Sequence, residues 1–171
     1  MCDLKKISGL LGKEQPGLVP GKEYASVAIV INDSRIIIER RASSLNDPWA
    51  GQFSLPGGHF KPDDKNLLNT VIREVKEETG LEIDKNSEYL GLFGPFSPMN
   101  RENLDVFVFV FAIHGKNVLI QSSETEMLKW EEMKILTERK GRDGGNITFR
   151  IEEGVIWGLT ARILDSFLSL C

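Results

Sequence analysis

Residues 73–81 read REVKEETGL, and the spacing of acids in this stretch decides how the chain is read. Glu74, Glu77 and Glu78 crowd together, and Gly80 breaks the run. Upstream, Leu68, Val71, Ile72 and Val75 recur at i, i+3, i+4 and i+7, which predicts a helix over residues 66–79 with one buried stripe. Gly80 suits the left-handed position that ends such a helix. At about 100° per residue the three glutamates occupy an arc roughly 100° wide beside that stripe, with Glu74 and Glu78 nearest the core and Glu77 farther out.

Like charges at i, i+4 destabilise a helix by about a few tenths of a kcal/mol, and more at the edge of a core. Two arrangements answer that repulsion. In one, Arg73 pairs with Glu77 and Lys76 screens the rest, leaving a solvated helix face. In the other, a hard divalent cation, Mg²⁺ or Mn²⁺, turns the repulsion into coordination by carboxylate oxygen. The preceding LPGGHF at residues 55–60 favours the second, because two glycines after a proline bring exposed backbone groups close to the acidic helix.

The rest of the chain sets the frame. At 171 residues it suits a single domain over 1–171, with 41% apolar and 27% charged residues, as in soluble globular proteins. A net charge of −4, from 21 basic and 25 acidic residues, argues against a large nucleic-acid footprint and leaves small anionic ligands open. No apolar run approaches the roughly 20 residues of a membrane span, and residues 1–17 lack a signal peptide's apolar region, so a cytoplasmic location without membrane contact is expected. Cys2 and Cys171 sit at the extreme ends, where incidental thiols are expected.

Residues 24–31, YASVAIVI, read as a strand, and the turn NDS at 32–34 leads into RIIIERR as the second arm of a hairpin. ASSLNDPWAG at 42–51 reads as a loop, and QFSLPGGH as a strand running into a glycine turn. EYLGLFGPF, LDVFVFVFAI and MLKWEEMKIL read as further strands, the middle one buried on both faces. KGRDGGN at 140–146 reads as a flexible loop. Ile156, Leu159, Ile163 and Phe167 then suit an amphipathic helix packed on a sheet.

The glycine turn and the acidic helix together resemble the signature of the Nudix hydrolases, G-x5-E-x7-R-E-apolar-x-E-E-x-G-apolar. Arg73, Glu74, Val75, Glu77, Glu78, Gly80 and Leu81 match every position of its second half. The first half carries one inserted residue: Gly58 lies fifteen positions before Arg73, and Lys65 stands where glutamate is usual, with Asp64 beside it to take over a structural contact. The longer spacing is similar to that of the coenzyme A pyrophosphatase branch. So are SVAIVI, Arg41-Ala42, the G-x3-LPGG run from Gly51 and IWGLTARIL at 156–164, and the resemblance covers about residues 24–167. Asp47 replaces the arginine that this branch carries four positions before its glycine.

The resemblance implies an α/β/α sandwich with a mixed β-sheet between helices, and metal-dependent hydrolysis of a diphosphate bond in a nucleoside diphosphate-linked compound. Coenzyme A and its thioesters lead as substrates, followed by ADP-ribose or dinucleotides and then nucleoside triphosphates. Charge builds on phosphoryl oxygens during such a reaction, so positioning and electrostatic stabilisation carry it, and divalent ions supply both while activating water. The implied ligands are Glu74 and Glu78, with the Gly58 carbonyl as an addition and Glu77 as ligand or base. Arg73 holds the loop or Glu77 without touching substrate. Glu124, six positions before Trp130, is chosen over Glu126 as a further base. Arg41 and Arg101 are candidates for substrate phosphates, and Trp49, Phe53 and Phe96 for stacking on a base. His59 and His114 show no ligand spacing. The expected partner is a small nucleoside diphosphate derivative, bound by a monomer or homodimer without nucleic acid. A nucleotide-sensing module of the same fold would have lost box acids, and a purely structural domain needs neither the glycines nor the acid cluster.

Overall fold

The computed structural model describes residues 2–44 and 46–171; Met1, and Leu45 within the loop expected at 42–51, lie outside the described residues. The chain runs through α1 (Leu4–Leu10), β1 (Glu23–Asn32), β2 (Arg35–Arg41), β3 (Phe53–Ser54), β4 (Gly57–His59) and a 3₁₀ turn (Pro62–Asp64). It continues with α2 (Leu67–Thr79), α3 (Ile83–Asn86), β5 (Ser87–Phe96), β6 (Leu104–Ile113), β7 (Thr125–Glu132) and α4 (Met133–Glu138). Three short strands, β8 (Lys140–Asp143), β9 (Asn146–Ile151) and β10 (Gly154–Ile156), precede the last helix, α5 (Gly158–Leu168).

The main sheet is mixed. β1 runs parallel to β6 from Glu23↔Leu104 to Asn32↔Ile113, and β5 lies antiparallel on the far side of β6. The other flank of β1 is divided between two strands. Its end carries the short hairpin pairing Ile31↔Ile36 and Asn32↔Arg35, while its start pairs with β4 through Ser26↔Gly58 and Val27↔Gly57. Released from β1, β2 pairs along its length with β7 and at its end with β3. That divergence opens a wedge beside β3 and β4.

Side-chain alternation explains why helices cover both faces. Ile29 and Ile31 of β1, with Ile36 and Ile38 of β2 and Val108 and Val110 of β6, pack against α1, α4 and α5 through Ile7, Leu136, Ile163 and Phe167. Ala28 and Val30, with Ile37, Phe109 and Phe111, face α2 and pack on Leu67, Val71 and Val75. The α/β/α arrangement and the doubly buried β6 agree with the expectation from sequence.

Five local expectations are corrected. MKIL belongs to α4 rather than to the strand, because Met133 and Leu136, three apart, dock on one face. KGRDGGN is not a flexible loop: β8 and β9 form a hairpin, and Gly144 and Gly145 take positive φ of 54° and 86°, as a two-residue turn demands. Ile156 ends β10, so the last helix begins later. Gly57 and Gly58 are not a turn but the start of β4, after a bend at Pro56. Cys2 and Cys171 are not incidental thiols. They form a disulfide with a Cα–Cα distance of 4.6 Å, because α1 and the end of α5 share one apolar cluster and carry the termini together. Among the described residues, no helix is long and apolar enough to cross a membrane.

Candidate active site

The acidic helix is positioned by its ends and by one buried ion pair. Asn66 caps α2, its side chain accepting the Asn69 N–H at 2.8 Å, and Gly80 closes it at φ 76° with its N–H on the Lys76 carbonyl. Just ahead, Asp64 is buried, and Arg73 grips it with both arms, Nε to Oδ1 at 2.7 Å and Nη2 to Oδ2 at 2.9 Å. Asp64 also accepts the Lys61 N–H and the Thr70 hydroxyl, each at 2.9 Å. Arg73, helped by these bonds, holds the Asp64 carboxyl far below the usual carboxylate range. Asp64 thus supplies the anionic contact that Lys65 cannot, and Lys65 itself turns away at φ 69°.

Arg73 also donates through Nη1 to Glu74 Oε1 at 2.6 Å and to Glu77 Oε2 at 3.4 Å. Glu74 is braced on its other side by Gly58: a Cβ there would lie 2.6 Å from the Glu74 carboxylate carbon. Only glycine leaves this carboxylate its place. Glu78 is 4% exposed and accepts the Gly57 N–H at 2.8 Å. Burial, then the negative charge of Glu39, pushes the Glu78 carboxyl well above the usual range against the pull of that N–H. Glu77 stands apart at the exposed edge.

Glu39 is the site residue missed in the sequence. It lies on β2 and is 1% exposed; the Ser54 hydroxyl donates to its Oε1 at 2.9 Å, and its Oε2 has no partner. Burial raises its carboxyl too, against Ser54 and Arg41. A signal was present: in RIIIERR, Glu39 alternates with Ile37 and Arg41, which places all three on the β2 face turned toward α2.

Glu74, Glu78 and Ser54 border a cleft of about 560 Å³, while Glu39 is buried next to Ser54 and outside the cleft lining. Glu74, Glu78, Glu124, Arg41, Gly57 and Gly58 form one wall, and Trp49, Phe53, Met99, Leu104, Trp157 and Leu159 give the other an apolar character. Glu124 is carried there by its carbonyl, which accepts the Ala42 N–H at 2.9 Å, whereas Glu126 points outward to Arg40 at 3.2 Å. Arg41 reaches the cleft but donates its Nε to Asp47 at 2.8 Å. Arg101 stands outside the lining, paired with Glu23 and stacked 5.5 Å from the Trp49 ring centroid. Phe96 packs edge-on against Phe93 instead of entering the cleft. The carboxylates ring the cleft without converging: among the described residues, no three acids or imidazoles are already drawn to ligand spacing. A divalent cation nevertheless suits them, since the wall offers hard oxygen donors, a buried orphan oxygen on Glu39 and a glycine cradle that leaves room for Glu74.

The family model for the NUDIX domain matches residues 22–149, spanning β1 to β9 and every element of this wall. The chain belongs to the NUDIX domain family. Nudix hydrolases act on phosphorus anhydrides of small nucleotide derivatives, generally with divalent cations, and this chain is an enzyme of that class. It is similar to the mitochondrial coenzyme A diphosphatase NUDT8 of Mus musculus, 28% identical over 146 residues, covering 76% of this chain and 67% of that one. It is also similar to an ADP-ribose pyrophosphatase of Methanocaldococcus jannaschii, 34% identical over 87 residues, 51% of this chain and 48% of the relative. Among solved structures, the MutT protein of Methanosarcina mazei Go1 superposes with a TM-score of 0.58 at 25% identity, over 90% of this chain and 96% of that one.

Proposed function

We propose that this Nudix enzyme hydrolyses the diphosphate bond of coenzyme A or a closely related nucleoside diphosphate derivative, with Mg²⁺ or Mn²⁺ held by Glu74 and Glu78. The observation that carries this reading is the pairing of two braced carboxylates, one held by Arg73 and one by the Gly57 N–H, with an apolar wall in one cleft. When bound, the cation stabilises charge on phosphoryl oxygens and acidifies water.

The chain's own residues prepare the rest. Gly57 orients Glu78 through its N–H, and Arg73 aims Glu74 while Asp64 anchors Arg73 from behind, so the guanidinium serves positioning and does not meet substrate. Glu77 and the Gly58 carbonyl would add oxygen donors to the cation beside Glu74 and Glu78. Glu124 takes the proton from the attacking water. Arg41 meets a diphosphate oxygen through the arm that Asp47 leaves free. The apolar wall receives the non-nucleotide portion and excludes bulk water from the reacting phosphorus. Arg101 steadies Trp49 at the rim.

ADP-ribose forms the second reading, favoured by one observation. Asp47 neutralises Arg41 beside the acids, and a substrate without coenzyme A's additional phosphomonoester needs less positive charge. Incubation of coenzyme A, its dephospho form, ADP-ribose and dinucleotides with Mg²⁺ or Mn²⁺, followed by mass analysis, tests both. The expected products are two phosphomonoesters per molecule cleaved. No turnover of any diphosphate with either cation refutes the proposal.

A further inference from the structure

We infer that Glu39 is a third carboxylate ligand of the cation, outside the helix that carries the other two; this rests on the cation site proposed for Glu74 and Glu78. Three observations converge on it. First, burial of an ionisable oxygen without a partner is costly, more so for a charged group, and folds keep such groups for a reason. Glu39 Oε2 is such an atom, in a side chain 1% exposed. Second, Glu39 lies among the acids of the cleft. Ile37 and Arg41, its neighbours on that face of β2, pack toward α2 and line the cleft respectively. The charges that act on Glu39 are those of Arg41, Glu74 and Glu124, and Glu39 is in turn the strongest charge acting on Glu78. Third, the other oxygen is fixed. The Ser54 hydroxyl holds Oε1 at 2.9 Å, and Ser54 pairs with Glu39 across the β2–β3 ladder, so the carboxylate cannot swing away to solvent.

Glu39, Glu74 and Glu78 stand apart at more than ligand spacing, and Arg73 pairs with Glu74 alone among them; a doubly charged ion would turn the repulsion among the three into attraction. Lysine or arginine could have satisfied Glu39 from the neighbouring strands, yet Arg40 turns its Nε to Glu126 and Arg41 gives its Nε to Asp47. A hard cation is a partner of matching chemistry. In a purely structural role Glu39 would only hold β3 through Ser54.

Titration calorimetry with Mn²⁺, alongside thermal melts without metal, separates the two roles in Glu39→Gln. As a ligand, its loss weakens Mn²⁺ affinity roughly tenfold or more, while the metal-free protein melts at the same or a higher temperature because a buried charge is gone. Affinity within twofold of the parent, or a lowered metal-free melt with affinity intact, overturns the inference. If Glu39→Gln does not fold, Glu39→Asp keeps the charge and shortens the reach; it must also lose affinity, and unchanged affinity overturns the inference equally. Failure of the parent itself to bind Mn²⁺ overturns the cation site altogether, whereas a parent that binds and a Glu39→Gln that binds equally leaves that site standing and removes Glu39 alone.

Discussion

Replacing Asp64 with asparagine tests whether the inserted, lysine-bearing half of the Nudix box is functionally rebuilt by its neighbour. The substitution keeps the shape and removes the charge that Arg73 grips at 2.7 and 2.9 Å. Breaking a buried ion pair from one side costs about 3–5 kcal/mol. Arg73 is 24% exposed and retains Glu74 and Glu77, so the lower end applies, about 3 kcal/mol. For a chain of this length that corresponds to a fall in Tm of about 6–12 °C. The pH dependence carries a sign. Because the folded Asp64 carboxyl titrates far below its unfolded value of about 3.9, its contribution is complete above that value and is lost as pH falls through the folded one. Differential scanning calorimetry of parent and Asp64→Asn should therefore show a full gap at neutral pH that closes in acid below about pH 4. A gap under about 1 °C at pH 7, or one that widens in acid, refutes the reasoning.

Five further outcomes are expected. Glu78→Gln should lose turnover by orders of magnitude while circular dichroism shows an intact fold, since the change removes charge and not packing. Gly58→Ala should displace only the flexible end of Glu74, lowering kcat about 100-fold with little change in Tm. Gly57→Ala should instead melt early, because its Cβ would lie 2.6 Å from the Val27 Cα backbone atom. Mg²⁺ at about 100 times its Kd should add about 2.7 kcal/mol to the parent, read as a rise in Tm, and far less to Glu78→Gln. Asp47→Ala frees Arg41 and should shift the kcat/KM ratio toward coenzyme A over ADP-ribose; an unchanged ratio removes Asp47 from substrate selection.

The acidic helix was legible because two codes agree there, a 3.6-residue apolar period and a Gly80 stop, and Asn66, read as its first residue, proves to be its cap. β6 was equally plain, its apolar run being too continuous for a half-exposed strand. Legibility failed where tertiary contacts overrule composition. Gly144 and Gly145 look flexible in isolation, yet paired positive φ values are what a tight hairpin needs. Glu39 reads as an ordinary polar residue in a strand until the divergence of β2 from β1 turns its face toward α2. Arg101 carries the right chemistry for phosphate, but Glu23 and Trp49 engage it first, a contact between residues far apart in sequence. The two cysteines were dismissed for lying at the ends, and nothing local indicates that the fold returns one end to the other.

That return makes the oxidised polypeptide from Cys2 to Cys171 a closed covalent ring. A protease nicking the exposed Gly144–Gly145 tip releases no fragment, and the two pieces stay tethered until a reductant parts them. Glu39, Glu74, Glu78 and Glu124 all lie on the same side of such a nick, so the acids of the cleft stay on one piece.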